Sequence, residues 1–380
     1  MKIFKNSKII TEEQVLEGYC LVFNEKIVEI TKDISPYQNA EIINMDGKYI
    51  APGLIDIHIH GAGGADTMDG EEEALIRISK EVLKCGVTGF LPTTMAMSKE
   101  DIVKALEVVK STMHHPHKCG ARILGVHLEG PFINSERKGA QNSRYIQKPD
   151  ITLIKDYLDI IKIITYAPEE DEDLKFTKEI LNHTDIVLSI GHSICDFDTA
   201  LKVYDMGVKH ITHCFNGMNT MHHRNPGIVG ATIARDFYTE FIADGIHSNL
   251  ELLKAFIKNR GINTSILITD SMMAGCLNPG EYMLGGQKVY VDDRSARLKD
   301  GTLAGSILRM DKAVRNVISD KIGLVDAVKM ASLIPAESIG IHKKKGSIKI
   351  GKDSDFTIFD EKMQVKSVYM DAVEVYGENY

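Results

Sequence analysis

The sequence predicts an α/β fold: a (β/α)8 TIM-like barrel over residues 51–344, with a small β-sandwich module built from both chain ends, residues 1–50 and 345–380. Three observations carry this expectation. From residue 54 onward, apolar strand-like runs alternate with segments of helical period, the texture of a parallel α/β fold. Eight such runs recur at intervals of roughly 24 to 38 residues, which suits a closed barrel better than an open doubly wound sheet. Both chain ends hold short strand-like runs broken by turn formers.

At the N-terminal end, Lys8–Ile10, Tyr19–Phe23 and Lys26–Ile30 read as strands. Barrel strands are expected at Leu54–His60, Val87–Thr93, Ile123–Glu129, Ile161–Pro168, Ile186–His192, His210–Phe215, Phe241–Ile246 and Ser265–Asp270. Between them, helical period marks Glu71–Lys84, Ser98–Met113, Asp171–Asn182, Asp196–Met206 and Leu250–Lys258; Ser193 or Asp196 caps the fourth and Gly207 closes it. Next come a Gly-rich loop from Gly275 to Gly286, a β-like stretch Lys288–Val291, a loop Gly301–Ser306 and helices near 310–319 and 324–333, the second ended by Pro335. Gly346–Gly351, Phe356–Phe359, Val365–Met370 and Val373–Tyr376 return to strand texture and can pair with the N-terminal strands.

Composition narrows the function. A net charge of −8 and a pI near 6 argue against a general nucleic-acid surface, and the only basic run is Lys343-Lys344-Lys345. The first residues lack the apolar core of a signal peptide, and no stretch approaches the ~18 apolar residues of a membrane span. A soluble, cytoplasmic protein with neither nucleic acid nor membrane as partner is expected. Cysteines at 20, 85, 119, 195, 214 and 276 lack the spacing of a zinc knuckle or disulfide scaffold, so reduced thiols are expected, with Cys195 and Cys214 packing rather than ligating.

The chemistry starts at Leu54-Ile55-Asp56-Ile57-His58-Ile59-His60-Gly61. In a strand, His58 and His60 share one face roughly 6–7 Å apart, a separation at which two neutral rings can lean onto one metal ion. Other expected strand ends present Glu129, His192, His213 and Asp270, and in a parallel barrel these ends surround one mouth. Imidazole with carboxylate suits Zn²⁺, Fe²⁺ or Mn²⁺ with a position open for water, whose pKa falls toward ~7. Asp270 ends a run too apolar to carry an aspartate without a partner and is the candidate general base. His127, two before Glu129, either supports that ligand or fills the lumen; His210 packs; His114, His115 and His117 face solvent in a loop around Pro116. In the loop after the sixth strand, Arg224 can clamp a carboxylate or phosphate, and Asn216-Gly217 can add backbone N–H groups to an anion nest. His247 points to the same mouth.

These motifs resemble those of the amidohydrolase superfamily over essentially the full chain. The broad likeness rests on Pro52-Gly53-Leu54-Ile55-Asp56-Ile57-His58-Ile59-His60-Gly61 and Asp270. A narrower likeness, to the N-acetylglucosamine-6-phosphate deacetylase family, rests on Gly125-Val126-His127-Leu128-Glu129-Gly130-Pro131-Phe132, Gly191-His192-Ser193, His213-Cys214-Phe215-Asn216-Gly217-Met218, His223-Arg224-Asn225-Pro226-Gly227, Asp244-Gly245-Ile246-His247 and Leu303-Ala304-Gly305-Ser306. The resemblance implies hydrolysis of the acetamide of N-acetylglucosamine 6-phosphate by metal-activated water, in amino-sugar catabolism and cell-wall recycling. It implies Glu129, His192 and His213 as principal metal ligands, His58 and His60 as ligands to a second ion, so one or two ions per subunit, Zn²⁺ first among them. Asp270 becomes general base and then acid. Asn216, Gly217, Arg224 and His247 hold the sugar phosphate, and Ala140, Leu303, Ala304 and Gly305 line the sugar. A homodimer is implied as well. In some members a histidine stands where this chain has Gln141.

Two other readings stand beside this one. A cyclic-amide hydrolase of the superfamily commonly uses a carboxylated lysine at the end of the fourth strand, where this chain has Tyr166-Ala167-Pro168. A non-catalytic binding or assembly relative is opposed by the intact set of ligands and Asp270.

Overall fold

The computed structural model describes residues 1–114 and 120–377. Eight parallel strands organise it: β1 (Leu54–Ile59), β2 (Val87–Pro92), β3 (Val126–Glu129), β4 (Ile161–Tyr166), β5 (Val187–Ile190), β6 (His210–Ile211), β7 (Tyr238–Ile242) and β8 (Ser265–Ile268). β1 pairs with β2, and β3 to β8 form one six-stranded arc in chain order. Backbone bridges join the two arcs at both seams. Thr94 N donates to His127 O at 3.0 Å, and His60 N donates to Ser271 O while Asp270 N donates to His58 O, both at 2.9 Å. Apolar side chains such as Ile57, Phe90, Leu128, Ile163, Ile190, Phe241 and Leu267 are fully buried, as parallel strands covered on both faces require.

The expected third strand is interrupted. Arg122–Ile123 pairs with β2, then Gly125 turns at φ +143° before β3 begins; a Cβ there would meet Ile160 O at 2.8 Å. β5, β6 and β8 stop two to four residues short of the expected ends, where His192, His213 and Asp270 adopt positive φ of +48°, +25° and +48°, and β7 lies earlier than the expected Phe241–Ile246. Five helices fall where the period places them: α1 (Glu72–Leu83), α2 (Lys99–His114), α3 (Lys175–His183), which starts late because Asp173 and Leu174 take positive φ, α4 (Phe197–Met206) and, past the unexpected α5 (Gly227–Ala234), which is apolar all round, α6 (Leu250–Arg260). Asp196 rather than Ser193 caps α4, its Oδ1 accepting from Thr199 N at 2.7 Å. His114 ends α2 instead of lying in a loop, whereas His115, His117 and Cys119 fall outside the described residues.

The Gly275–Gly286 segment is not all loop. Gly280–Leu284 pairs antiparallel with Gln287–Val291 through a tight turn in which Gly285 and Gly286 both take positive φ. Pro335 does not end a helix; it sits in the first turn of the short helix Leu333–Ser338, where its missing N–H has no partner to lose. Residues 346–351 form turns, not a strand.

The chain ends meet in two sheets. One holds Ile27–Thr31, Cys20–Phe23, Lys2–Lys5 and Glu41–Asn44 in that order. In the other, Phe356–Phe359 runs antiparallel to both Val365–Met370 and Tyr49–Pro52, so the C-terminal strands extend an N-terminal edge. Phe4 and Phe23 of the first sheet pack on Tyr369 and Phe356 of the second, with ring centroids 4.9 and 5.1 Å apart. Ion pairs tie the second sheet to the Arg122–Ile123 strand and fix the segment that leads into it. Arg122 reaches Asp355 at 3.0 Å and also Asp371, while Lys345 pairs with Asp353 at 2.9 Å and with Asp355.

Arg122→Ala leaves buried Asp355 with Lys345 alone and is expected to lower unfolding stability by about 1–2 kcal/mol in a urea titration, activity unchanged. Burial raises the Asp353 carboxyl, but Lys26 and Lys345 hold it lower overall than its unfolded value. Its contribution is therefore present near neutrality and is lost as pH falls through that lowered range.

Candidate active site

Five ligand-type side chains converge where the strands end. Glu129, at the last position of β3, lies at their centre. Its Oε1 is 3.0 Å from His213 Nε2, 3.2 Å from His192 Nε2 and 3.4 Å from His58 Nε2, while its Oε2 is 3.3 Å from His60 Nε2. Asp270 Oδ1 stands 3.2 Å from His60 Nε2 and 3.6 Å from His58 Nε2. All six residues are buried. Cys195 and Cys214 take no part; both thiols are buried and pushed upward by burial.

The tautomers follow from the second ring nitrogen of each histidine. His60 Nδ1 faces Thr93 O at 3.2 Å, His192 Nδ1 faces Arg137 O at 2.7 Å and His213 Nδ1 faces Asn216 O at 3.1 Å. A carbonyl only accepts, so these rings carry hydrogen on Nδ1, and Nε2 is the nitrogen each turns toward Glu129, free to ligate a cation held there. His58 Nδ1 meets Glu240 Oε2 at 2.9 Å, to the same effect.

This donor set fits a divalent cation. His192 Nε2 and His213 Nε2 face each other at 3.2 Å, two lone pairs that repel unless a positive centre lies between them. His58 Nε2 is buried without a hydrogen-bond partner. Glu129, His192 and His213 could hold one ion, and His58, His60 and Glu129 a second.

Electrostatics match. Burial raises the Glu129 carboxyl, but the surrounding His58, His192 and His213 hold it well below the usual carboxylate range overall. Asp270 behaves alike: burial opposes ionisation, and the His60 hydrogen bond with the nearby His58 and His213 outweighs it. His58 is lowered to about 4, chiefly by burial, which keeps its ring neutral and ligand-competent.

Above the cluster lies a pocket of ≈ 270 Å³. Of the expected sugar-phosphate residues, Ala140, Asn216, Gly217, His247, Leu303 and Gly305 line it. Two do not. Ala304 is fully buried in an apolar cluster with Met272 and Val289, and Arg224 sits exposed on the turn of residues 222–225, its guanidinium 2.9 Å from His223 Nε2. The anion nest is also smaller than expected, because Asn216 N already donates to His213 O at 2.9 Å. His247 is anchored by Asp244, whose Oδ2 lies 2.7 Å from its Nδ1.

Gln141, noted in the sequence only as a departure from some family members, contributes here, as do Arg297, Leu284 and Glu240, which the sequence does not single out. Gln141 donates to Glu129 Oε2 at 2.8 Å and accepts from Ala96 N at 2.6 Å, so it orients the central carboxylate. Arg297 and Leu284 reach the pocket from the strands beyond β8. Glu240, fully buried in β7, holds His58 and accepts from His213 N at 3.2 Å. Its signal was a lone acid inside Tyr238–Ile242, the same anomaly that marked Asp270. Of the two readings of His127 the structure favours the one that fills the lumen, and His210 packs as expected. His127 bonds Ile57 O and Thr165 Oγ1 with its two nitrogens, and His210 Nδ1 meets Ser189 Oγ.

Glu240→Leu keeps much of the volume but removes the acceptor that fixes His58. It is expected to weaken metal retention about 10–100-fold, read by elemental analysis after dialysis against graded chelator. An unchanged metal content would mean that the Glu240 contact does not orient His58.

Residues 49–375 match the model of the amidohydrolase family. The chain is 38% identical over 374 residues to N-acetylglucosamine-6-phosphate deacetylase of Bacillus subtilis (strain 168), covering 96% of this chain and 94% of the relative. It is 29% identical to N-acetylgalactosamine-6-phosphate deacetylase of Escherichia coli O157:H7, over 97% of both chains. The crystal structure of N-acetylglucosamine-6-phosphate deacetylase from Pasteurella multocida superposes with a TM-score of 0.91 at 30% identity, covering 97% of this chain and 98% of that one. With its ring of imidazoles around a buried carboxylate and these full-length likenesses, the chain belongs to the amidohydrolase family, among the N-acetylglucosamine-6-phosphate deacetylases.

Proposed function

We propose that this chain hydrolyses the acetamide of N-acetylglucosamine 6-phosphate, releasing glucosamine 6-phosphate and acetate. The observation that carries the reading is Asp270 beside a cluster of four imidazoles and one carboxylate, beneath a pocket lined by Ala140, Leu303, Gly217 and His247. The full-length likeness to deacetylases of amino-sugar phosphates supports the substrate class.

In this reading Glu129, His192 and His213 hold a divalent ion, and His58 and His60 complete a place for a second with Glu129. Zn²⁺ is the proposed ion, with Fe²⁺ or Mn²⁺ as the alternatives that an imidazole–carboxylate set accepts. When bound, such a cation supplies Lewis acidity toward the amide carbonyl and lowers the pKa of water. Asp270, ionised near neutrality, takes the proton of the attacking water and returns it to the leaving nitrogen. The Nδ1 hydrogen bonds of the four histidines hold the rings still while charge develops. Ala140, Leu303 and Gly305 line the sugar; Asn216, Gly217 and His247 face the phosphate end, with Arg224 as an outer cation from the adjoining turn.

The same reading takes the two parallel arcs as one closed (β/α)8 barrel, residues 51–344. It takes the two terminal sheets as a β-sandwich module from residues 1–50 and 345–380. Bridges at both seams and the shared cluster of Phe4, Phe23, Phe356 and Tyr369 support this. A cytoplasmic homodimer completes the proposal; among the described residues no helix is long and apolar enough to cross a membrane.

Acetate release tests the function directly. Asp270→Asn is expected to fold and retain metal but to lose kcat by about 10²–10⁴; near-normal turnover would remove the acid–base role. Wild type is expected to favour N-acetylglucosamine 6-phosphate over unphosphorylated N-acetylglucosamine and over the galacto epimer in kcat/KM. Arg224→Ala should narrow the phosphate preference by roughly tenfold, as loss of a charge-assisted contact predicts. No acetate from any of the three sugars would overturn the assignment.

A further inference from the structure

Apart from the ligand cluster, the structure brings together a second reactive pair. Cys85 lies two residues past the end of α1 and is buried, while Cys276 lies in the loop after β8 and is half-buried. Though 191 positions apart, their sulfurs are 3.5 Å apart. Cys276 holds a left-handed backbone, φ +67°, which costs a non-glycine residue energy and is kept only where surroundings enforce it. The pair borders a cleft of ≈ 10 Å³, about the room of one water, with Ser271 and Arg309 also on its wall.

The two thiols differ in character. The hydrogen bond from Cys85 lowers the Cys276 thiol; burial opposes this, and the Arg309 guanidinium adds to the lowering. The same hydrogen bond, together with burial, raises Cys85 well above its ordinary value. Cys276, half-buried where Cys85 is buried and with Arg309 on the same cleft wall, is the nucleophile of the pair and Cys85 the resolving thiol.

The loop that carries Cys276 is bound to the site. Ser271 O accepts from both His60 N and Gly61 N at 2.9 Å, Met273 O accepts from Gly64 N at 2.7 Å and Gly275 O accepts from Gly63 N at 2.8 Å. Asp270 is the residue just before this loop. A disulfide needs sulfurs about 2.0 Å apart, so the present gap must close by roughly 1.5 Å. Cys85 follows a buried helix end, so closure displaces the loop, and its backbone bonds to residues 60–64 pass that displacement to the site.

We propose that Cys85 and Cys276 are a thiol-oxidation site that a hydroperoxide converts to a reversible disulfide, and that closing it slows turnover by shifting the loop after Asp270. The Cys276 thiolate attacks a peroxide oxygen; an S–O bond forms, the O–O bond breaks, and the leaving oxygen takes a proton. The Cys85 sulfur then attacks the sulfenic sulfur, forming S–S and breaking S–O, and water departs with the Cys85 proton. Two thiols and one hydroperoxide give one disulfide, one alcohol or water, and one water.

The test treats the zinc-loaded protein with hydrogen peroxide. Thiols titrated after denaturation should fall from the six of the chain to four, with one cross-linked peptide joining Cys85 to Cys276. Turnover should fall by roughly ten- to a hundredfold, up to the scale on which a 1 Å displacement acts, and dithiothreitol should restore it. Cys85→Ser should keep its turnover through the same treatment and accumulate a sulfenic acid at Cys276 that dimedone traps. Six persisting thiols, a cross-link elsewhere, or a cross-linked enzyme with undiminished turnover would each overturn the proposal. The thiol count and peptide map need no substrate, so they stand apart from the proposed deacetylase activity.

Discussion

A carboxylate buried among four imidazoles is the constraint on which the rest of the structure depends. Taking Glu129 out of water costs several kcal/mol unless its charge is met inside the protein. Four Nε2 atoms face it, and with the hydrogens held on Nδ1 their lone pairs can share the site with that carboxylate only around a cation. Each ring therefore needs an acceptor on its far side. Thr93 O, Arg137 O, Asn216 O and the Glu240 carboxyl supply them, so requirements at one atom reach strands and loops from four parts of the chain.

Those requirements explain the backbone. His192, His213 and Asp270 leave their strands in positive φ, a conformation that side chains other than glycine adopt at a cost and that clusters where geometry matters more than comfort. The glycines nearby serve the same end. A Cβ at Gly217 would fall 2.9 Å from His192 Nδ1, and one at Gly191 would strike Thr212 and Thr165. Beneath the ligands the lumen is polar as well. His127, Thr165, Thr212, Ser189 and His210 form a continuous hydrogen-bonded chain, so the floor under the site is rigid without being apolar.

Much of this was legible in the chain. His58 and His60 alternate with isoleucines, and period two places both on one face whatever the fold. Asp270 and Glu129 end apolar runs, where a charge must have a reason. Less legible were contacts between distant segments. Nothing local tells Gln141 to bridge Glu129 and Ala96, or Glu240 to meet His58 182 positions away. Apolar texture runs past the observed ends of β5, β6 and β8, because propensity continues through residues that ligand geometry bends away, and it places β7 three to four residues too late. The hairpin of Gly280–Leu284 and Gln287–Val291 was half missed, since glycines at 275, 280, 285 and 286 suggest a loop unless the two at the turn are recognised as turn formers.

The sequence by itself determined the alternation of strands and helices, the positions of the ligand-type side chains at strand ends and the chemistry they are suited to. These follow from periodicities of two and 3.6 residues and from the rarity of charge in apolar runs, all of which are local. Only the tertiary structure decided which nitrogen of each ring faces inward, that Arg224 and Ala304 stand outside the pocket wall, and that two cysteines at opposite ends of the parallel arcs touch. Such outcomes depend on how strands register around a closed core, a property of many residues at once that no single segment encodes.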